Sequence, residues 1–433
     1  MKRLLFPSLV WFCGVMLAVG QLPTIEPPRG WKTAEGQPFQ ASIASFDGST
    51  VIFRMPNGSR AQTAATKLSA EDQQFLTEWQ KKQPIKVVLP DVVGVETANI
   101  KAEVVSEDPV GERYVYRTEH FEFESQGKFS QSLLREVARN FEATYELLKA
   151  LPWGIDPKPA SGERFKARLL KDKGAYYGAG GPPNSAGVYM SRTETFLVPF
   201  ESIGVKLVGK SYTKDEDLDY STMVHELTHQ MMHYWLDLLP QWIVEGTAEY
   251  TSTLPLRTGK FRVSAAKNGL KDYTEFLKKR AVGGMPTPYP LEKLFPVTNE
   301  EWNEILTGDP TMSRRLYFTS YLLVYYFMHL DGQGDGQRFV RYFREVGRAR
   351  KSVEEYKLAM AGFMNQTGVE KLPGGRFRYP AAMTPPPKPA EFADEAAQNA
   401  FQKKTLQILL DGRSEADLMK QIRSAYTRLG VRL

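Results

Sequence analysis

The segment His225-Glu226-Leu227-Thr228-His229 carries the strongest structural signal in this chain. Residues four apart lie on one face of a helix, so the two histidines would point the same way and could hold one Zn²⁺. Glu226 lies between them and is the candidate general base for a water on that metal. Three of the five histidines, His225, His229 and His233, fall within nine residues. The pattern predicts a zinc-binding helix; the alternative is a helix with two ordinary histidines.

A catalytic zinc site needs a third protein ligand and keeps a further position open for water. The candidate third ligand is Glu245, which falls in a second helix-like run at residues 242–250, after the turn at Pro240. His233 lies one helical turn beyond His229. The third histidine of the metzincin pattern comes six residues after the second and requires a glycine, so we expect His233 to be an ordinary residue near the site.

Residues 220–250 resemble the gluzincin superfamily of zinc metallopeptidases, the group of thermolysin and the zinc aminopeptidases. The run from Trp242 to Tyr250, in which a tryptophan and apolar residues precede a Glu-Gly pair, is similar to the peptidase-MA-like branch. The resemblance implies an α+β catalytic domain of the thermolysin-like zincin type, with a small sheet and active-site helices. Fifteen residues, 230–244, separate the second histidine from the candidate glutamate, fewer than in thermolysin, so the connection between the two helices should be tight.

Mapped onto this chain, the resemblance implies that His225, His229 and Glu245 bind the zinc and that Glu226 is the base. Glu249 lies one turn after Glu245, where gluzincins carry an acid that accepts a hydrogen bond from a ligand histidine. Such a carboxylate fixes the tautomer and orientation of the imidazole, so we expect Glu249 to bond His225. The alternative for Glu249 is a solvated helix acid.

The implied reaction is hydrolysis of a peptide bond in a peptide or protein substrate. Zinc polarises the scissile carbonyl and acidifies its bound water, and Glu226 takes the proton and passes it to the leaving amine. The developing oxyanion needs a donor besides the metal. Tyr317 is the first candidate and Tyr321 the second. Together with Tyr325 they lie four apart on one predicted helix face, and the alternative is that they belong to the core.

The N-terminus predicts the compartment. A basic pair precedes an apolar run at residues 4–19, and small residues form a cleavage site before Gln21. This pattern is typical of a secretory signal peptide at residues 1–20 and predicts a secreted or periplasmic protein, with a membrane anchor as the alternative. The single cysteine, Cys13, lies inside this segment, so the mature chain is expected to fold without disulfides.

Charge and composition exclude some classes of partner. Lysine and arginine outnumber aspartate and glutamate by 56 to 50, a mild excess, and the basic residues are scattered rather than clustered with aromatic ones. The sequence therefore predicts no nucleic-acid partner. No Gly-x-Met-Glu-Asn-type motif for holding a free amine is present, which favours an endopeptidase over an aminopeptidase. No motif indicates an oligomeric state.

Residues 21–80 are predicted to form a separate small domain after a Pro-rich leader. Strand-like runs at 39–45 and 51–54 alternate with the turn dipeptides Asp47-Gly48 and Asn57-Gly58, and Ser69 can cap a short helix. With the Arg29-Gly30-Trp31-Lys32 run, these features resemble the Sla homology domain, which implies a small β-barrel similar to Src-homology-3 domains. In the endocytic adaptor that defines it, this domain binds a peptide signal. Here we expect a module for an envelope protein or peptide, or a structural spacer.

The remaining chain divides by pattern into further parts. Residues 81–112 are predicted to be a linker with strands, and residues 113–350 the peptidase domain. Residues 351–433 are predicted to be a Pro-rich linker and C-terminal helices that pack on the peptidase domain. Residues 187–190 are the candidate strand that lines the cleft and pairs with extended substrate.

Two segments carry weaker signals. Glycines at 178–181 predict either a mobile lid or a surface loop, and residues 257–310 are predicted to be rich in loops. Three classes of function remain open: an active zinc endopeptidase, a zinc-binding domain without catalysis, and an envelope adaptor that acts through its N-terminal barrel. Because every residue that the zinc-peptidase motifs require is present, we expect the first class, an active zinc endopeptidase.

Overall fold

The computed structural model describes residues 28–46, 49–83, 87–159, 162–183, 185–215, 218–280, 285–372 and 377–433. The predicted signal peptide, its cleavage site before Gln21 and the turn at residues 47–48 lie outside these ranges. The chain divides into two compact units, Met1–Pro84 and Ile85–Leu433. Helices and strands are mixed, as expected for the predicted α+β class. Within the described ranges, no helix combines the length and apolar character that a bilayer crossing requires.

The first unit is an antiparallel sheet followed by a helix. Its strands, paired in sequence order, are β1 (Arg29–Lys32), β2 (Pro38–Phe46), β3 (Thr50–Arg54) and β4 (Arg60–Ala64), and its helix is α1 (Ala70–Lys82). Ser69 caps α1 as predicted, because its side chain accepts a hydrogen bond from the main-chain N–H of Asp72. Trp31 and Phe53 pack edge to face in the buried core, with ring centroids 4.8 Å apart.

A mixed sheet organises the first half of the second unit. After the short strand β5 (Val92–Gly94), this sheet is built from β6 (Glu103–Asp108), β7 (Arg113–Arg117), β8 (Phe121–Ser125), β9 (Phe165–Leu170), β10 (Val188–Met190) and β11 (Thr195–Pro199). Their order is β10-β11-β9-β8-β7-β6. Strand β9 is parallel to β8 and β11, whereas β10 runs antiparallel to β11 at one edge. Helix α2 (Gln131–Ala150) connects β8 to β9 and buries Leu134, Val137 and Phe141 on its apolar face.

Strand β6 belongs to this sheet and lies within residues 81–112, which the sequence predicts to be a linker with strands. It pairs antiparallel with β7, from Glu103 opposite Arg117 to Asp108 opposite Arg113. All of its residues are exposed, and it forms one edge of the sheet. The ordered structure of the second unit therefore begins before residue 113.

The second half of this unit is mainly helical. Helix α3 (Lys173–Gly178) follows β9, and the hairpin of β12 (Val205–Val208) and β13 (Ser211–Lys214) leads to α4 (Ser221–Met231) and α5 (Gln241–Thr253). Further along the chain lie β14 (Leu256–Arg257), β15 (Lys260–Arg262), α6 (Ala266–Arg280), α7 (Leu291–Leu294), α8 (Asn299–Gly308), α9 (Pro310–His329), α10 (Gln337–Met364), β16 (Glu370–Lys371), β17 (Phe377–Arg378), α11 (Glu395–Leu410) and α12 (Glu415–Arg428).

The expectation of loops at residues 257–310 is wrong, because α6, α7 and α8 occupy much of this segment. Helix α6 contains Gly269 and several charged residues, which obscure its short apolar face in the sequence. Helix α10 runs without a break through residue 350, where the sequence predicts the end of the peptidase domain.

The C-terminal helix packs on the helices of the same unit. Its apolar face is buried at Leu418, Ile422 and Ala425. The hydroxyl of Tyr426 donates a hydrogen bond to the main-chain carbonyl of Leu322 in α9, at 2.7 Å. This bond ties α12 to the helix that also carries Tyr317.

Candidate metal centre

Helix α4 holds the two motif histidines on one face. The opposite face is in the core, where Met223, Val224 and Leu227 are buried. The Nε2 atoms of His225 and His229 are 3.1 Å apart. The predicted helix and its i, i+4 geometry are therefore present, and both imidazoles point to one place beside the core.

Helix α5 brings Glu245 to the same place. Its Oε2 atom lies 3.2 Å from Nε2 of His225 and 3.5 Å from Nε2 of His229. The connection between α4 and α5 is tight, as predicted, and is filled by the buried side chains of Trp235, Leu238 and Leu239. Among the described residues, this is where three potential metal-ligating side chains converge.

The spacing of these three atoms suits a tetrahedral zinc ion. Zinc bonds to imidazole nitrogen and carboxylate oxygen of about 2.0–2.2 Å place the ligand atoms of a tetrahedron about 3.4 Å apart. The Oε2 atom of Glu245 is buried and receives no hydrogen bond of good geometry, despite the nearby imidazoles. A buried carboxylate oxygen without a donor is costly, and a cation held by all three side chains would satisfy it.

The electrostatics of the site also favour a cation. Burial alone would lower the pKa of His225, but its close contact with Glu245 and the charges of Glu249, Glu245 and Glu226 outweigh burial and raise this pKa to about 9. Burial likewise raises the pKa of Glu245, yet the charge of His229 and the contacts with both histidines lower it below the usual range. The three carboxylates therefore surround two imidazoles with an excess of negative charge.

Glu249 lies where the sequence places it, beside His225. Its Oε1 atom is 3.4 Å from Nδ1 of His225, whereas Nε2 of the same ring faces Glu245. Burial raises the pKa of Glu249, and the charge of His225 and a hydrogen bond from Tyr273 offset part of that rise. The arrangement allows Glu249 to hold the Nδ1–H tautomer of His225 and leave Nε2 free as a ligand.

Glu226 has a partner that sequence reasoning missed. Its Oε2 atom accepts a hydrogen bond of 2.8 Å from the main-chain N–H of Tyr189. Tyr189 is the central residue of β10, which matches the strand predicted at residues 187–190. No local sequence pattern predicts this contact, because the two residues are 37 positions apart in the chain.

His233 lies outside the ligand set, as expected. Its Nδ1 atom is 2.8 Å from the hydroxyl of Tyr189. Burial lowers the pKa of His233, and the positive charge of Lys357 lowers it further. His233 therefore contacts the edge strand of the sheet rather than the three converging ligand atoms.

The two candidate tyrosines have different surroundings. Tyr317 lines the cavity beside His225, with ring centroids 6.3 Å apart. Burial and the negative charges of the nearby glutamates raise the pKa of Tyr317, so its hydroxyl stays protonated and can donate. Tyr321 is fully buried, and its ring packs between Tyr273 at 4.6 Å and Tyr325 at 6.1 Å. Tyr321 does not line the cavity, so it is a core residue and Tyr317 remains the candidate donor.

A cavity of 840 Å³ opens beside these residues. It is lined by His225, Glu226, Glu249 and Tyr317, by the segment 185–187, and by residues of α6 spaced three and four apart: Gly269, Asp272, Tyr273, Phe276 and Leu277. One face of α6 therefore forms a wall that the sequence did not predict. The cavity is large enough for several residues of a peptide.

The glycine-rich segment at 178–181 is packed against α3. The position of Gly181 leaves no room for a side chain, because an added Cβ would lie 2.3 Å from the ring of Tyr176. The hydroxyl of Tyr176 is hydrogen bonded to the Ser185 side chain at 2.6 Å. These contacts fix Gly181 and Ser185 beside α3, whereas an added Cβ at Gly178 or Gly180 would meet no atom within 4 Å.

Gly246, next to the candidate ligand Glu245, allows α9 to pack closely against α5. A Cβ atom added at Gly246 would lie 2.5 Å from the main-chain carbonyl of Ser320 and 2.7 Å from Val324. Only glycine permits this approach, which brings Tyr317, one turn before Ser320, next to His225. The sequence signal was the Glu-Gly pair itself, whose role is evident only from the helix packing.

Replacing Gly246 by Ala is expected to destabilise the protein by about 1–3 kcal/mol, because α9 must move away from α5. The midpoint of urea denaturation measures this change. Gly362→Ala is the matched control, since Gly362 also lies in a helix but an added Cβ there meets no atom within 4 Å. The control should leave stability unchanged or raise it by up to about 1 kcal/mol. Equal stability of both variants would contradict the packing argument.

No protein-family model matches this chain, and neither a curated protein nor a solved structure is significantly similar to it. The proposed function therefore rests on the geometry of the site.

Proposed function

We propose that this chain is a zinc metallopeptidase of the gluzincin, peptidase-MA-like type. The observation that carries the proposal is the convergence of Nε2 of His225, Nε2 of His229 and Oε2 of Glu245, 3.1 to 3.5 Å from one another, with His225 lining a large cavity. The mixed sheet, its antiparallel edge strand and the packed pair α4 and α5 support a thermolysin-like zincin domain.

The proposed ligands are His225, His229 and Glu245. Zinc bound there would polarise the scissile carbonyl and acidify a coordinated water. Glu249 would orient His225 through Nδ1, as the 3.4 Å contact between them supports. Three protein ligands of this kind would leave room for water and substrate at the metal.

Glu226 is the proposed general base. It lies in the cavity wall next to His225, and its Oε2 atom accepts the hydrogen bond from the main-chain N–H of Tyr189. In the proposed reaction it accepts the proton of the attacking water and delivers that proton to the nitrogen of the leaving amine. Tyr317 is the proposed donor to the oxyanion, since it lines the same cavity with a protonated hydroxyl.

An extended peptide is the substrate that the site fits best. Strand β10 lies at the edge of the sheet, and an extended chain could pair there with the main-chain groups that remain beside the N–H of Tyr189, which is bonded to Glu226. The cavity beside them combines apolar side chains with the carboxylates of Asp219 and Asp272, and its described lining contains no lysine or arginine. A test library should therefore be rich in apolar and basic side chains.

The purified protein is expected to hold about one zinc per chain and to cleave members of such a peptide library. Removing the metal with a chelator should abolish cleavage, and one equivalent of Zn²⁺ should restore it. Refilling with Mg²⁺ is the matched control and should restore nothing, because Mg²⁺ prefers octahedral oxygen ligands. A protein that takes up no zinc, or that cleaves equally well without metal, would overturn the proposal.

We further propose that the first unit is a barrel of the Sla homology type in a secreted or periplasmic protein. The antiparallel order of β1 to β4, the buried Trp31 and the capped helix α1 support it. The guanidinium of Arg29 stacks on Phe75 at 3.7 Å and is paired with the buried Asp72 at 2.7 Å. A peptide or envelope protein is the proposed partner of this unit.

A further inference from the structure

Tyr189 makes two contacts that join separate parts of the proposed active site. Its main-chain N–H donates to Oε2 of Glu226 at 2.8 Å, and its hydroxyl lies 2.8 Å from Nδ1 of His233. The rings of Tyr189 and His233 are nearly perpendicular, with centroids 6.2 Å apart. Tyr189 therefore contacts the proposed base, Glu226, through its main chain, and it contacts His233, just after α4, through its side chain.

The register of the sheet explains why this N–H is available. Tyr189 lies opposite Phe196 in the antiparallel pair of β10 and β11. In such a pair, alternate residues direct their N–H and C=O groups away from the neighbouring strand. The bond to Glu226 shows that Tyr189 is one of these residues, so its main chain faces the open side of the sheet.

Strand β10 needs stabilising contacts besides its main-chain hydrogen bonds to β11. It spans three residues, Val188–Met190, and pairs with β11 on one side only. An edge strand this short has few ladder hydrogen bonds to fix its position. The bond from the Tyr189 side chain to His233 adds an anchor directly to the chain that follows α4.

Both partners of that anchor are in the protonation state that it needs. Burial raises the pKa of Tyr189, so the phenol keeps its proton and donates. Burial lowers the pKa of His233, so its imidazole is neutral at pH 7 and Nδ1 can accept. The bond is a neutral, partly buried hydrogen bond, which salt should affect little.

We propose that Tyr189 is a positioning residue for Glu226, with His233 as its anchor. His233 holds the Tyr189 hydroxyl, the hydroxyl fixes β10, and the main-chain N–H of Tyr189 then orients the Glu226 carboxylate. Oε2 is engaged by this bond, while no described residue donates a hydrogen bond to Oε1, which stays free to accept a proton in the cavity. The expected effect on catalysis rests on the proposed function, whereas the structural coupling between His233, Tyr189 and Glu226 does not.

Hydrogen–deuterium exchange of the Tyr189 amide tests the coupling without any enzyme assay. Tyr189→Phe keeps the ring and the N–H but removes the hydroxyl, and it should speed exchange at this amide about tenfold; His233→Ala should do the same. Tyr177→Phe is the matched control, because Tyr177 is a partly exposed tyrosine of α3 whose ring packs on Tyr176, and it should change nothing. Exchange at wild-type rates in Tyr189→Phe would overturn the proposal.

Steady-state kinetics test the catalytic consequence. Tyr189→Phe should lower kcat about tenfold and leave KM within about threefold, because the loosened base still sits in an intact cavity. His233→Asn keeps an acceptor close to the position of Nδ1 and should recover most of the loss caused by His233→Ala. The double variant Tyr189→Phe/His233→Ala should be no worse than either single variant, since both remove the same bond.

The outcomes separate the two proposals. Additive losses in the double variant, or a change in KM alone, would overturn the positioning role while the peptidase itself stands. A wild-type protein without hydrolytic activity would overturn the proposed function, and amide exchange would still decide the coupling between His233, Tyr189 and Glu226.

Discussion

Replacing Glu226 by Gln is expected to lower the kcat of peptide hydrolysis about a thousandfold and to leave the zinc content unchanged. Glutamine has the same shape, and its amide oxygen can still accept the hydrogen bond from Tyr189. It cannot take a proton from water at neutral pH, so the general base is lost without a change in the ligand set. Steady-state kinetics on a cleaved library peptide, together with metal analysis, measure both effects.

Glu163→Gln is the matched control for this experiment. The side chain of Glu163 is 90% exposed, and its ion pair with Arg164 lies at the surface. The control should retain wild-type kcat and zinc content, because an exposed pair contributes little to stability. Activity of Glu226→Gln at the level of the control would refute Glu226 as the base. Loss of zinc in that variant would instead mean that Glu226 helps to hold the metal.

Replacing Glu245 by Ala should remove the zinc, which is the second large effect. Two imidazoles alone make an incomplete site, because zinc sites in proteins use at least three protein ligands. In the wild-type protein, zinc at a hundredfold excess over its Kd is expected to stabilise the fold by about 2.7 kcal/mol. Glu245→Ala should show neither the metal nor this gain, measured as zinc stoichiometry and as the change in Tm on adding zinc.

Glu249→Gln is the contrast within the same helix. Glu249 contacts His225 through Nδ1 and does not reach the converging ligand atoms, so this variant should keep zinc with an affinity weakened about 10- to 100-fold. Wild-type zinc affinity in Glu245→Ala would contradict the proposed ligand set. Complete loss of zinc in Glu249→Gln would contradict the division of roles between the two glutamates.

The candidate ligands were predictable because their signals are local. The offset of four places His225 and His229 on one helix face whatever the rest of the fold does. The same offset relates Glu245 to Glu249, and Pro240 marks the start of their helix. The structure brings the two helices together at the distances that a shared ion requires.

Other features had no local signal. The contact of Tyr189 with Glu226 joins a short edge strand to a helix 37 residues away, and its donor is a main-chain group that every residue except proline has. The sequence also could not distinguish the roles of Tyr317 and Tyr321, because both lie on one face of α9. Burial between Tyr273 and Tyr325 assigns Tyr321 to the core, and only the packing of α6 on α9 shows this.

The sequence by itself determined the α+β class, the helices with the His-Glu-x-x-His and Glu-Gly-Thr-Ala-Glu runs, and the residues that share a face within each helix. These properties follow from backbone periodicity and capping, which act over a few residues. The tertiary structure alone decided how closely α5 approaches α9 at Gly246, which tyrosine lines the cavity, and what holds Glu226. Those outcomes depend on side-chain volumes and main-chain groups that meet across long stretches of chain, and no short-range pattern encodes such contacts.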